Sequence, residues 1–458
     1  MIQRSIKDIA AMIDIENDIS KFGNVQITGV SIDSRKIVPG NLFVPFKGEK
    51  ADGHRFVEEA LSKGAAAALW QKDVPNPPLH LPVLVVEETL TALQELARSY
   101  ISQLNIKVIG ITGSNGKTTT KDMAASLLSL KYSVQKTEGN YNNQIGLPFT
   151  ILQLKENTEI AVLEMGMSGR GEIDFLTKLA RPDAVIITNI GESHLLDLGS
   201  REAIADAKLE IIEGLRDDGL IIYHGDEPLL RGRLENAGRK AQIKTFGKTA
   251  ANDLYPVEII QNSKGNTFTV NRTSKPFHLP VLGTHNILNA LSAMLAAEFF
   301  GIPLEDMDKG FSGLKLTNMR MELVEGAKGE KIINDAYNAS PTSMNAAIEL
   351  VSNLSGYKTK ILVLGDMLEL GPQEEEYHYN IGTSLDKDKI DFLFTYGTLG
   401  NAIAKGASEV LGRDRVFPYD DKERLSAELR KRTDAETLIL VKASRGMKLE
   451  DIVFTLQK

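Results

Sequence analysis

The chain has 458 residues, no cysteine, and 61 acidic against 53 basic side chains, a formal net charge of −8. Without cysteine there is no disulfide, thiolate metal site, iron–sulfur cluster or cysteine nucleophile. The acidic balance argues against a non-specific nucleic-acid binder, though not against an anionic small substrate in a local basic pocket.

At roughly 150 residues per unit, the length predicts about three domains. The charge-interrupted start MIQRSIKDIAAMIDIE does not read as a signal peptide. No run of about 18 apolar residues occurs, so no integral membrane association is expected and the protein reads as soluble and cytoplasmic. Residues 25–35 and 41–46 read as strands around the Pro39-Gly40 turn, 54–65 as an amphipathic helix closing at Gly64, and 81–87 as another strand. This predicts a small α/β domain over 1–86. From about 87 to 314 strands and helices alternate: helix 90–104, strand 107–113, helix 117–132, strands 160–167, 183–191 and 219–227, and helix 282–302. The strands are continuous in Val, Ile and Leu, which suits a mainly parallel sheet covered on both faces. Residues 315–458 repeat the pattern with strands at 329–337, 360–367, 391–397 and 437–444. The expected fold class is α/β in three domains, the second built around a phosphate loop and the third Rossmann-like.

The strongest motif is Gly110-Ile-Thr-Gly-Ser-Asn-Gly-Lys-Thr-Thr119, set between a buried-type strand and a helix. Glycines let backbone N–H groups turn inward around phosphate oxygens, and the helix start adds the positive end of its dipole. Lys117 is placed to reach the β- and γ-phosphates and Thr118 to ligate Mg²⁺. Ile111 stands where the common pattern has its first glycine.

Glu164 ends the strand before Met165-Gly166, and His194 follows the next strand at Gly191-Glu-Ser-His194. Ligands of open parallel sheets bind beyond the carboxyl ends of the strands, so a carboxylate and an imidazole there suit metal or phosphate. Each is also an ordinary loop residue when taken alone. Lys208 falls inside the apolar stripe Ile204, Ala207, Ile211, Ile212 and Leu215. Two readings stay open: a lysine snorkelling at the stripe's edge, or one turned toward the site, where a buried ammonium must be paired or modified.

These residues carry a resemblance. Thr112-Gly-Ser-Asn-Gly-Lys-Thr118, Glu164-Met-Gly166, His194, Ala207-Lys208, His285-Asn-Ile-Leu-Asn289, Arg320 and Asp335-Ala-Tyr-Asn-Ala-Ser-Pro341 together resemble the Mur ligases, the ATP-dependent amide-forming enzymes of peptidoglycan precursor synthesis. The likeness spans essentially the whole chain. Asp33-Ser-Arg35, Pro39-Gly-Asn-Leu-Phe-Val-Pro45, Asp52-Gly-His54 and the stretch 139–148 resemble most the member that adds D-alanyl-D-alanine to UDP-N-acetylmuramoyl-tripeptide. The Asp-Asn-Pro-Arg motif of the diamino-acid-adding member is absent. A related ligase for another acidic substrate, or a non-catalytic nucleotide-binding scaffold, are the competing readings. Intact Lys117, Glu164, His194 and Lys208 argue against the scaffold.

The resemblance implies a UDP-binding first domain, an ATP-binding second and a dipeptide-binding third, in an enzyme forming an acyl phosphate. It places ATP on Thr112, Gly113, Ser114, Asn115, Gly116, Lys117 and Thr118, with Asn289 at adenine and Arg320 and Asp335 at phosphates and ribose. Mg²⁺ falls to Thr118, Glu164, His194 and Lys208, the last carbamylated by CO₂. The UDP-muramoyl-tripeptide falls to Ser34, Arg35, Thr137, Asn140, Asn142 and Asn143; for the Asn residues, turn chemistry is the alternative. The partners expected are these small molecules, with no nucleic acid, on a monomer.

Overall fold

The structure is a computed structural model that describes residues 1–48, 52–235 and 241–458. Strands are numbered in chain order. The N-terminal unit pairs β1 (Gln3–Ser5) antiparallel with β2 (Gln26–Thr28). It also forms a parallel sheet of β3 (Val30–Ser31), β4 (Leu42–Phe43), β5 (Ala67–Gln71) and β6 (Val83–Val86). The single strand expected over 25–35 is broken, because Gly29 takes φ 75° and Asp33 caps a 3-10 turn at Ser34–Lys36. The other expected strands are present but shorter than their apolar runs.

The second unit carries β7 (Lys107–Thr112), β8 (Val134–Lys136), β9 (Ile160–Glu164), β10 (Ala184–Ile187), β11 (Leu220–His224) and β12 (Gln242–Phe246). They form one parallel sheet in the order β12-β11-β10-β7-β9-β8. Alternate residues feed two cores. Val108, Leu163, Val185 and Ile187 join a core that reaches Ile2 and Ile6 of the N-terminal unit. Ile109, Ile111, Val162 and Ile186 pack under the helix His285–Phe299. Burial on both faces is why these strands read as unbroken apolar runs. A three-stranded antiparallel sheet, β13 (Pro256–Asn262), β14 (Gly265–Val270) and β15 (Thr273–Leu279), lies beside that second core and was not foreseen.

The third unit is a six-stranded sheet in the order β16-β17-β21-β18-β19-β20, from β16 (Glu322–Glu325), β17 (Lys331–Asn334), β18 (Thr359–Gly365), β19 (Phe392–Tyr396), β20 (Val416–Tyr419) and β21 (Thr437–Lys442). Only β16 runs antiparallel to its neighbour. Among the described residues no helix is long and apolar enough to cross a membrane.

Candidate active site

Register brings the chemistry to one edge of the second sheet. Ile111 of β7 lies opposite Glu164 of β9, and Thr112 opposite Ile187 of β10. The turn after β7 leads into the helix Lys117–Leu128, which Gly116 opens with φ 82° and no side-chain cap. Its first N–H groups therefore face the turn, as an anion site requires. Two glycines are enforced by close approach: a Cβ at Gly113 would lie 1.8 Å from Thr188 Oγ1, and one at Gly116 2.4 Å from Asn289 Oδ1. The next strand end braces the loop. Ser114 N–H donates to the Asn189 carbonyl at 3.1 Å, Asn115 N–H to Asn189 Oδ1 at 2.9 Å, and Gly191 N–H to Ser114 Oγ at 2.8 Å. Thr112 is fully buried beneath it.

Lys117 curls over the loop and donates to the Gly113 carbonyl at 2.6 Å. Its pKa is lowered, chiefly by burial, with Glu164 opposing and the Arg320 charge assisting. Thr118 Oγ1 donates to Glu164 Oε2 at 3.0 Å, and Asn142 Nδ2 to Glu164 Oε1 at 2.9 Å. A hydroxyl and a carboxylate side by side at a phosphate loop fit a Mg²⁺ bound mainly through phosphate and water. Among the described residues no cluster of three or more His, Asp or Glu forms an all-protein metal cage.

The structure decides the first half of the Lys208 question. The side chain is 1% exposed, so it does not snorkel into solvent. Burial, helped by repulsion from Lys117, drives its pKa well down. It has no ion pair among the described residues. An ammonium here is disfavoured, and a carbamate, whose negative charge would attract Lys117, fits the electrostatics.

The third unit closes the cleft. Arg320 donates to Thr118 Oγ1 at 3.4 Å and lies 4.0 Å over the Tyr337 ring. Its buried Nε has no hydrogen-bond partner among the described residues. Asp335 pairs with the buried Lys442, which also donates to the Asn338 carbonyl at 2.9 Å. Ser340 donates to Asn115 Oδ1 at 3.3 Å and Thr342 to Glu192 Oε2 at 2.7 Å, joining the two units across the loop. His194 takes φ 65°, and its Nδ1 lies 2.9 Å from Glu369 Oε2 of the third unit.

These groups surround one cavity of about 470 Å³, lined among others by Lys117, Glu164, His194, Asn289, Arg320 and Asp335. Asn140, Asn142 and Asn143 also reach it. Asn143 Oδ1 additionally accepts the Ile145 and Gly146 N–H groups, so turn chemistry holds there too. Six expected site residues do not line this cavity: Thr112, Gly113, Lys208, Thr137, Ser34 and Arg35. Thr137 is fully buried behind it, where its Oγ1 accepts the Glu164 N–H at 3.0 Å. Ser34 and Arg35 lie in the N-terminal unit, Arg35 holding Asp33 at 2.8 Å with its side chain 83% exposed. Sequence reasoning missed Tyr337's stacking role, the Lys442 partner of Asp335 and Glu369. Their partners lie in distant segments, and the only local signal was their position after strands.

Three family models match: the Mur ligase family, catalytic domain, over residues 26–101, the Mur ligase middle domain over 111–297, and the Mur ligase, glutamate ligase domain, over 319–445. The chain belongs to the Mur ligase family. It is 53% identical over 453 residues to the UDP-N-acetylmuramoyl-tripeptide–D-alanyl-D-alanine ligase of Bacillus subtilis, covering 99% of this chain and 98% of the relative. It is 34% identical to the Escherichia coli ligase of the same name, covering 98% of each. Among Mur ligase structures, MurF from Acinetobacter baumannii superposes with TM-score 0.89 at 29% identity over 100% of this chain and 99% of that one. MurF from Thermotoga maritima, in complex with ADP, gives 0.81 at 29% identity over 94% and 97%.

Proposed function

We propose that this chain joins D-alanyl-D-alanine to UDP-N-acetylmuramoyl-tripeptide with ATP, forming an amide in peptidoglycan precursor synthesis. The observation that carries the reading is the convergence of Lys117, the Thr118–Glu164 pair and Arg320 from two units on one cavity. The substrate identity comes from full-length likeness to ligases of that name.

A carboxylate oxygen of the tripeptide attacks the γ-phosphorus of ATP, and the bond to ADP breaks. The free amine of the dipeptide then attacks the acyl phosphate carbonyl, phosphate leaves with its bonding pair, and the nitrogen releases a proton to complete the amide. Both steps need aligned reactants and neutralised charge more than covalent help. Lys117 and the helix N–H groups meet the phosphoryl oxygens, and Arg320 adds a second cation from the opposite wall. Asn289 takes adenine, and Asp335 the ribose. Thr118 and Glu164 would hold one Mg²⁺, and His194 with carbamylated Lys208 a second; Mg²⁺ would supply neutralisation of the phosphate charge. Asn140, Asn142 and Asn143 meet the peptide of the nucleotide-sugar substrate, Ser34 and Arg35 its uridine end, and Thr137 acts by fixing the end of β9.

The domains are taken as 1–86 for UDP, 87–314 for ATP and 315–458 for the dipeptide, in a monomeric cytoplasmic enzyme. The test is phosphate release with UDP-muramoyl-tripeptide, D-alanyl-D-alanine and Mg-ATP. Release should require both acceptor and dipeptide; phosphate release indifferent to either one refutes the reading.

A further inference from the structure

The phosphate-loop helix holds the segment entering the third unit at two points one turn apart. Asp122 is 2% exposed. Its Oδ2 accepts both the Thr317 backbone N–H at 2.8 Å and the Thr317 hydroxyl at 2.9 Å. Its Oδ1 accepts Lys136 at 2.6 Å. Four residues earlier on the same helix face, Thr118 Oγ1 accepts from Arg320 at 3.4 Å. Residues at i and i+4 share a helix face, so the two grips are built on one rigid element.

On either side of Arg320 the chain is curled. Met319 takes φ 60° and Met321 φ 51°, left-handed values that are uncommon for a side chain of this kind. Such conformations persist where the surroundings over-determine them. Only two residues separate Thr317 from Arg320, so fixing Thr317 limits Arg320 to a small volume over the loop. The Met321 N–H is bound at the far side by Asp335 Oδ1 at 3.2 Å. Arg320 is thus the crest of a short arch with one foot on Asp122 and the other on Asp335.

We propose that Asp122 is a positioning residue for the ligation: by tethering Thr317 to the phosphate-loop helix it sets where Arg320 meets the nucleotide phosphates. Asp122 is not among the residues lining the cavity described above. The tether is the fixed foot of the arch. The inference rests on the reading of Arg320 as a phosphate contact, and the experiment separates the two.

Four full-length enzymes are compared with wild type by initial-rate phosphate release with varied ATP: Asp122→Ala, Asp122→Asn, Arg320→Ala and the Asp122→Ala/Arg320→Ala double variant. Thr317 is only half-buried, so water can replace the lost acceptor, and circular dichroism melts check that each variant folds. Misplacing a charged group by about 1 Å costs up to about 100-fold, so Asp122→Ala should lose about 10- to 100-fold in kcat/KM for ATP. Asp122→Asn keeps an acceptor toward Thr317 and should recover most of that loss. In the Arg320→Ala background, Asp122→Ala should cost nothing further, because its effect travels through Arg320. Losses that multiply in the double variant overturn the inference, as does an Asp122→Asn enzyme as impaired as Asp122→Ala. A fully active Arg320→Ala enzyme overturns the phosphate role of Arg320 itself.

Discussion

Burial lowers the pKa of both Lys117 and Lys208, and the Lys117 charge lowers that of Lys208 further. Of the two, Lys117 is the one on the loop, and in the proposed mechanism it is the phosphate cation. Replacing it with Ala removes the charge while leaving the glycine turn intact. The expected outcome is a loss of about 100- to 1,000-fold in kcat, the scale of removing one preorganised donor, measured by phosphate release. Lys208 needs a different solution to its burial, and the proposed carbamate is one. Lys208→Ala should lose about 10- to 100-fold, the scale of a support residue at a metal site, with partial recovery on adding short-chain carboxylates. A second readout is independent of turnover: with ¹³C-bicarbonate the wild type should show a carbamate carbon signal that Lys208→Ala lacks. A Lys208→Ala enzyme with full activity and no missing signal counts against the modification. At this scale the sequence was informative where a residue announces its chemistry locally. Lys117 follows Gly-Ser-Asn-Gly, and Glu164 ends an apolar strand. It was silent where the meaning lies in a partner far along the chain, as with Asp122 and Thr317, 195 residues apart.

At the scale of elements, apolar runs marked strands well and their ends poorly. Residues 160–167 read as one strand, but β9 stops at Glu164: the Met165 N–H still reaches the Ile111 carbonyl of β7, while the Gly166 N–H goes to the Asn142 carbonyl at 2.8 Å. The sheet β13–β15 escaped notice for a physical reason. Its outer strands carry Pro256 and Pro276 and mostly exposed side chains, and only Phe268, Val270, Phe277 and Leu279 turn inward to the core. The phosphate-loop turn lends itself to an element-level test. Gly116→Ala forces a left-handed conformation costing about 1–2 kcal/mol and pushes a methyl toward Asn289 Oδ1. The expected result is a raised KM for ATP with a thermal midpoint only a few degrees lower. An unchanged KM would show that the turn tolerates a side chain and that Asn289 is not poised against it.

At the scale of the molecule, three sheets were legible because each has its own run of strands. How the second and third units meet was not, since contacts such as Ser340 on Asn115, Thr342 on Glu192 and Glu369 on His194 are polar pairs between distant segments. Acid response is a property of the same scale. Burial lowers the pKa of three imidazoles: His285 to about 4, with Asp335 opposing and Lys442 and Lys248 assisting; His224, against Asp226 and Glu227; and His378. His378 is fully buried, and its Nε2 accepts the Met367 N–H at 2.8 Å, so its other nitrogen donates to the Glu374 carbonyl at 2.6 Å. A proton on Nε2 would abolish that acceptor. Above pH 6.5 these histidines are neutral both folded and unfolded, and stability is complete. As pH falls below 6.5 the unfolded chain binds protons that the folded chain refuses, so stability falls until the folded pKa values are reached. Carboxylates with lowered pKa, such as Asp33 at about 2, weaken the fold only at lower pH. Calorimetry should therefore show thermal midpoints dropping between pH 7.5 and 5, where carboxylates contribute little. His378→Gln keeps a neutral polar group in the third unit and cannot titrate. It should be less stable than wild type at pH 7.5 yet lose less between pH 7.5 and 5. An undiminished pH slope in that variant would mean that His378 is not among the groups setting the acid limit of the fold.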